Sequence, residues 1–125
     1  MSELIKQESS SEGVGSTEYW LMKASEHLGT LQLRHELHGR FLKFQSQIRY
    51  EIAESERGKG YGNLILKLGL EQAKLLGFQT LTITCLETNL ASQKIIEKNG
   101  GKFIEKATVQ GDHEPITILK YELVS

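Results

Sequence analysis

The chain reads as an α/β domain built on a mixed, mostly antiparallel sheet with one central parallel βαβ unit, and three observations carry that reading. Ile48, Tyr50 and Ile52 alternate with Arg49, Glu51 and Ala53, the two-residue period of a strand with unlike faces. The glycine-rich run Arg57-Gly58-Lys59-Gly60-Tyr61-Gly62 follows, and beyond it Leu64, Ile65, Leu68, Ala73, Leu75 and Leu76 recur at helical spacing up to Gly77, a helix-ending glycine. Phe78 to Leu86 then alternates again, with Leu81, Ile83 and Cys85 on one side and Thr80, Thr82 and Thr84 on the other. Strand, turn, helix, strand predicts two parallel strands with a right-handed crossover.

The other elements follow in order. Residues 1–15 are rich in Ser, Glu and Gly with scattered apolar side chains, too little to bury against the entropy of ordering, so they are expected to form a mobile tail before a domain at 16–125. Thr17 to Lys23 and Thr30 to Glu36 read as strands joined through Ala24 to Gly29, with Trp20 in the core. With Gln47 to Ala53 as a third strand they make an antiparallel meander. The helix after the glycines is apolar on most of its circumference, which predicts a buried helix. Asn89 to Asn99 is a short second helix with Asn89 as N-cap and Gly100-Gly101 as its stop. Gly101 to Val109 and Pro115 to Val124 form a closing hairpin around Gln110-Gly111-Asp112.

Composition narrows the function classes. At 125 residues, 38% hydrophobic and 25% charged, the chain has the makings of one globular domain. The net charge of −1, from 15 basic and 16 acidic residues without long blocks, leaves no electrostatic footprint for nucleic acid. Cys85 is the only cysteine, which excludes an internal disulfide and fits a reducing compartment. No apolar run approaches the ~20 residues that cross a bilayer, so a cytoplasmic protein without a membrane partner is expected.

Chemistry concentrates at the glycine run. Three glycines in five residues permit positive backbone dihedrals and close approach to main-chain N–H groups. These lie at a helix N-terminus, where unpaired donors and the helix dipole favour an anion, most often phosphate. A P-loop is excluded because no Gly-Lys-Ser/Thr occurs. The glycines are spaced two and two, which does not fit the Gly-x-Gly-x-x-Gly dinucleotide fingerprint. His35 and His38 flank Glu36 but stand three apart at a strand end, not four apart on a helix, so no metal site follows. Cys85 shares a face with Leu81 and Ile83 and reads as a buried structural thiol.

Read as Arg57-x-x-Gly60-x-Gly62, the run resembles the pyrophosphate-binding motif of the GCN5-related N-acetyltransferase (GNAT) superfamily. A second block, Asn89-Leu90-Ala91-Ser92 leading into Ile95-Ile96-Glu97-Lys98-Asn99-Gly100-Gly101, is similar in order and spacing, and Arg34 to Leu37 points to a bacterial branch of predicted acetyltransferases. The similarity runs from about Glu18 to Val124. It implies the GNAT-type acyl-CoA N-acyltransferase fold and acetyl-coenzyme A as cofactor. Main-chain N–H groups from Arg57, Gly58, Lys59, Gly60, Tyr61 and Gly62 would hold the pyrophosphate. The strands before and after the first helix would splay, and the pantetheine arm would pair with main chain near Tyr50 and Ile52. Asn89 and Ser92 would face the pantetheine and thiol end, although Asn89 is equally an N-cap and Ser92 equally a residue of the helix surface. The side chains of Arg57 and Lys59 would meet phosphate or solvent.

The reaction the resemblance implies is direct attack of a primary amine, on a small molecule or peptide, on the thioester. Many relatives carry a tyrosine in the second helix as the acid for the departing thiolate; here that position is Ile96. For the base, Glu51 in the central strand leads and His35 follows. Relatives also begin with an additional strand and two helices that wall the acceptor site, whereas the first clear strand here is expected near Thr17, an N-terminally shortened form. A bare sheet face would then be exposed, which suggests a homodimer. Three readings follow: an N-acetyltransferase, an acetyl-CoA-binding module without turnover, and a structural protein whose glycines serve only the turn.

Overall fold

The computed structural model describes residues 2–7, 16–34 and 46–125. Strands β1 (Ser2–Gln7), β2 (Ser16–Lys23), β3 (Glu26–Arg34) and β4 (Ile48–Ile52) form an antiparallel sheet in that order. A 3₁₀ turn at Glu54–Glu56 leads through the glycine run into helix α1 (Tyr61–Leu75). Strand β5 (Thr80–Leu86), helix α2 (Leu90–Lys98) and strands β6 (Lys102–Gln110) and β7 (Pro115–Val124) complete the chain, the last three strands forming a second sheet in the order β5-β7-β6.

The α/β class and the element order agree with the sequence reading, and four particulars depart from it. Ser2–Gln7, expected in the tail, is an edge strand paired with β2 from Ser2↔Lys23 to Gln7↔Glu18. Leu4 reaches the core from it. Secondly, the hairpin turn is just Ala24 and Ser25, with Ala24 at φ 54, so β3 begins at Glu26 and Gly29 lies inside it. A Cβ at Gly29 would stand 2.8 Å from the Glu51 carbonyl, so glycine is what lets β3 and β4 approach there.

Thirdly, Trp20 is 37% exposed rather than core. The strand period turns Tyr19 and Leu21 inward and leaves Trp20 outside, where its ring lies 4.7 Å from that of His27 and its Nε1 donates to Glu18 Oε2 at 3.0 Å. The rest of this outer face carries Ile5, 44% exposed and paired with Trp20, together with Glu18, Thr30, Gln32, Arg49 and Glu51. Fourthly, α1 is buried along one stripe, Ile65, Leu66, Gly69, Leu70 and Ala73, while Leu75 is 79% exposed. The stripe rests on the inner face of the first sheet, and a Cβ at Gly69 would run into Leu31.

The βαβ unit has its expected order but not a parallel ladder: all ladders among the described residues are antiparallel. Gln47 N donates to Thr82 O at 2.8 Å, and the N–H groups of Thr82 and Thr84 are taken at 2.8 Å by Gln47 Oε1 and Ser46 Oγ. Those side chains occupy donors that a neighbouring strand would use. Beyond this seam β4 and β5 part, which is the splay the resemblance implied.

Candidate active site

Strand β4 ends its sheet, and its ladder decides what it offers to the splay. Arg34 N donates to Gln47 O at 2.7 Å and Ala53 N to Leu28 O at 2.8 Å. Counting by twos from those bonds, Arg49 and Glu51 turn their main chain towards β3. The N–H and C=O groups of Ile48, Tyr50 and Ile52 therefore point to the open edge, where Arg57 Nε already occupies the Ile52 carbonyl, and an extended ligand lying there could pair with the rest as an added strand would.

The glycine run closes one end of this edge. Gly58 and Gly60 have φ of 80 and 87, values that favour glycine, and a Cβ at either would meet nothing within 4 Å. Their absent side chains thus open space rather than relieve a clash. Gly60 is the N-cap of α1 and supplies no side-chain cap; the first helical bond runs from Leu64 N to Gly60 O at 3.2 Å. The N–H groups of Tyr61, Gly62 and Asn63 are left without a protein partner among the described residues. Gly62 also lets α2 come close, since a Cβ there would stand 2.8 Å from Ile95 Cδ1 and 3.7 Å from Tyr50 Cε2. Asn99 Nδ2 donates to Asn63 Oδ1 at 2.8 Å and to Ile95 O at 2.9 Å, tying the end of α2 to the start of α1.

The basic side chains of the run turn inward upon the loop. Arg57 Nε donates to Ile52 O at 3.0 Å and its guanidinium lies 3.8 Å from Glu51 Oε1. Lys59 Nζ bonds Glu56 Oε2 at 3.0 Å, and that bond holds its pKa above the ordinary lysine value.

Two cavities meet in the splay. One, of about 520 Å³, holds the glycine run and the first turn of α1; the other, of about 490 Å³, holds Ile83, Cys85 and Ile96. Tyr50, Asn89 and Ser92 line both. Asn89 caps α2, its Oδ1 accepting from Ser92 N at 3.1 Å, so the N-cap expectation holds and its amide still borders the cleft. Cys85 is half-buried: it packs against the core and also lines the cleft, so it is less enclosed than expected. Burial, then the charge of Glu97, pushes its thiol above the usual cysteine range. Burial likewise raises the Tyr50 hydroxyl, whose oxygen is sealed from solvent and has no hydrogen-bond partner among the described residues.

Glu51 stands at the rim, its side chain 82% exposed. The other candidate base, His35, lies outside the described residues, as do Glu36 and His38. Among the described residues no group of three or more His, Cys, Asp or Glu is arranged to hold a metal ion, and no helix is long and apolar enough to cross a membrane. The sequence reading missed the Ser46–Gln47 seam and the Asn63–Asn99 pair; two polar residues opening an apolar strand were the available signal for the first, and the second had none.

Over residues 2–102 the sequence matches the family model described as "Acetyltransferase (GNAT) domain". The chain belongs to this family. It is a GNAT acetyltransferase domain, and its fold is that of solved N-acetyltransferases. The spermidine/spermine N-acetyltransferase SpeG of Vibrio cholerae, in mutant form, is similar with a TM-score of 0.75 at 11% identity, over 90% of this chain and 69% of that one. An N-acetyltransferase of Staphylococcus aureus Mu50 gives 0.70 at 22% identity, over 87% and 67%. Mycobacterium smegmatis RimJ in complex with CoA-disulfide gives 0.73 at 18% identity, over 89% and 54%. No curated protein sequence matches the chain.

Coenzyme A fits the groups present. The uncapped start of α1 would suit its phosphates and the open edge of β4 would suit the amides of its arm, while the Tyr50 hydroxyl, without a hydrogen-bond partner among the described residues, belongs to a side chain that lines both cavities.

Proposed function

We propose that this domain transfers an acetyl group from acetyl-coenzyme A to a primary amine by direct attack, with both substrates bound together. The observation that supports it most is the junction of an uncapped helix N-terminus with an unpaired strand edge, a phosphate site continuous with an amide-pairing site. In this reading, main-chain N–H groups between Arg57 and Gly62, with Asn63, hold the pyrophosphate, while Tyr50 and Ile52 pair with the arm through their main chain. Asn89 and Ser92 border the arm and the thiol. Arg57 shapes the loop through the Ile52 carbonyl and leaves the phosphates to the main chain. Glu51, exposed at the rim, takes the amine's proton.

Calorimetric titration of coenzyme A and acetyl-coenzyme A into the wild-type chain and Gly60→Asp tests the site. A carboxylate about 7 Å from the pyrophosphate at an effective dielectric near 20 raises Kd roughly 50-fold. Equal binding by both chains would remove the phosphates from the glycine run. For the base, Glu51→Gln keeps CoA affinity and lowers acetyl transfer by about 10²-fold or more; unchanged transfer would dismiss Glu51.

A second reading, a binding module without turnover, is favoured by one observation: Ile96 occupies the position where many relatives carry the acid tyrosine, and it is buried. CoA binding with no thiol release across a panel of amines would decide for it.

A further inference from the structure

The cavity that holds Ile83 and Cys85 carries charge of one sign only. Its lining comes from both sides of the strands: Ile83 and Cys85 from the inner face, Arg34, Arg49 and Thr84 from the outer one. Alternation settles the second group. Leu31 and Ile48 face α1 at Gly69, so Arg49, paired with Gln32, and Arg34, two residues beyond Gln32, face away from it. Among the described residues no acid lines this cavity, and neither guanidinium has an ion-pair or hydrogen-bond partner. The acids on the same face of the first sheet are engaged elsewhere, Glu18 with Trp20 Nε1 at 3.0 Å and Glu51 with Arg57 at 3.8 Å. Two free guanidiniums on one wall suit an anion, and a planar carboxylate above all.

The pair stands away from the glycine run. Arg34 N donates to Gln47 O at 2.7 Å, and Gln47 lies five residues before Ile52, whose carbonyl meets Arg57, so about 16 Å of strand separates the two ends. The same cavity is lined by Asn89 and Ser92, which border the thiol in the reading above. Glu51, the proposed base, is two residues from Arg49 on one face of β4. That is about 7 Å, a span that the nitrogen and carboxylate of a single amino acid bridge with the reach of the two side chains.

We propose that Arg34 and Arg49 form an anion subsite for the acceptor, and that the acceptor is an amino acid whose free carboxylate they hold while its amine meets the thioester. The inference rests on the acetyltransferase reading above and narrows its acceptor. One carboxylate answers one guanidinium; the remaining positive charge disfavours the ammonium form of the amine, which must be neutral to attack. A polyamine is repelled from the same cavity.

Thiol release from acetyl-coenzyme A tests this with three kinds of acceptor: the common amino acids, their C-terminal amides, which stand in for a peptide N-terminus, and spermidine. The best amino acid should exceed its own amide in kcat/KM by about 100-fold or more, and Arg34→Gln and Arg49→Gln should each lower that ratio about fivefold or more, the loss of a charge-assisted hydrogen bond. Calorimetric affinity for coenzyme A should stay the same in both variants, which shows them folded and confines the loss to the acceptor. An amide or spermidine preferred by the wild-type chain, or a ratio moved by less than about fivefold in either variant, would overturn the subsite while leaving the acetyltransferase reading intact. Coenzyme A binding with no amino acid turned over would overturn it as well and leave the cofactor site standing. Failure of the wild-type chain to bind coenzyme A would overturn both.

Discussion

Asn89 does two things at once, and two substitutions pull them apart. Its Oδ1 accepts the Ser92 N–H at 3.1 Å and caps α2, while the remainder of the amide borders both cavities. Helix α2 has nine residues, less than the length at which an isolated helix holds itself, so it depends on its cap and on the packing of Ile96. Asn89→Ala removes cap and donor together. The lost cap costs about 1 kcal/mol, which for a chain of this length lowers Tm by roughly 3–5 °C. Asn89→Asp keeps an acceptor at the same place and adds a charge suited to a helix N-terminus, so Tm should hold or rise by a degree or two, on the order of a few tenths of a kcal/mol. Both variants lack the NH₂ donor. A neutral hydrogen bond contributes about 0.5–1.5 kcal/mol, so each should bind coenzyme A roughly 2- to 12-fold more weakly. Differential scanning calorimetry gives the first quantity and titration calorimetry the second. If Asn89→Asp melted as low as Asn89→Ala, the cap would not be the stabilising contact; if neither lost affinity, the amide would be a cap and nothing more.

Further outcomes follow from the same geometry. Gly60→Ala forces a Cβ into a positive φ with open space around it, so urea unfolding should show a loss of about 1–2 kcal/mol, and Gly60→Asn, which tolerates that region better, a smaller one. An alanine as stable as the glycine would mean that the backbone there is not held left-handed. Ile96→Tyr, which restores the residue many relatives carry, should destabilise by about 1–3 kcal/mol because the site is 1% exposed; a stable variant would show that the helix can shift to admit it. Alkali should weaken the fold. Burial raises Cys85 above its ordinary 9.0 and Tyr19 and Tyr50 above 10.0, so the unfolded chain loses these protons first. Their contribution to stability is whole below about pH 9 and is lost as pH rises through the folded values, which a Tm series from pH 7 to 11 would show as a plateau and then a fall. A Tm still level at pH 11 would refute the assignment.

What the sequence disclosed, it disclosed through local rules. The glycine run, Gly77, Asn89 and Gly100 announce the ends of α1 and α2 because a helix terminus is a problem solved by a few neighbouring residues. Alternation placed Leu81 and Ile83 on the inner face of β5 for the same reason. Trp20 was misplaced because hydrophobicity argued for burial while the period of β2 argued against it, and the period prevailed. Strand β1 was missed because a short edge strand needs few apolar residues of its own; Leu4 suffices once β2 supplies a ladder.

The cleft itself lay beyond local rules, since it exists only because two strands do not pair. Periodicity describes one strand at a time and cannot say that Ser46 and Gln47 will satisfy the free donors of β5, thirty-five residues and more away. Yet that seam determines the chemistry. With β5 paired along its length to β4, the main chain of Tyr50 and Ile52 would be consumed by a ladder and the two cavities would close. Parted, the strands expose an edge, and they leave the Tyr50 hydroxyl without a hydrogen-bond partner among the described residues. The same separation that costs the fold a run of hydrogen bonds is what opens the cleft on which the acetyl-coenzyme A proposal depends.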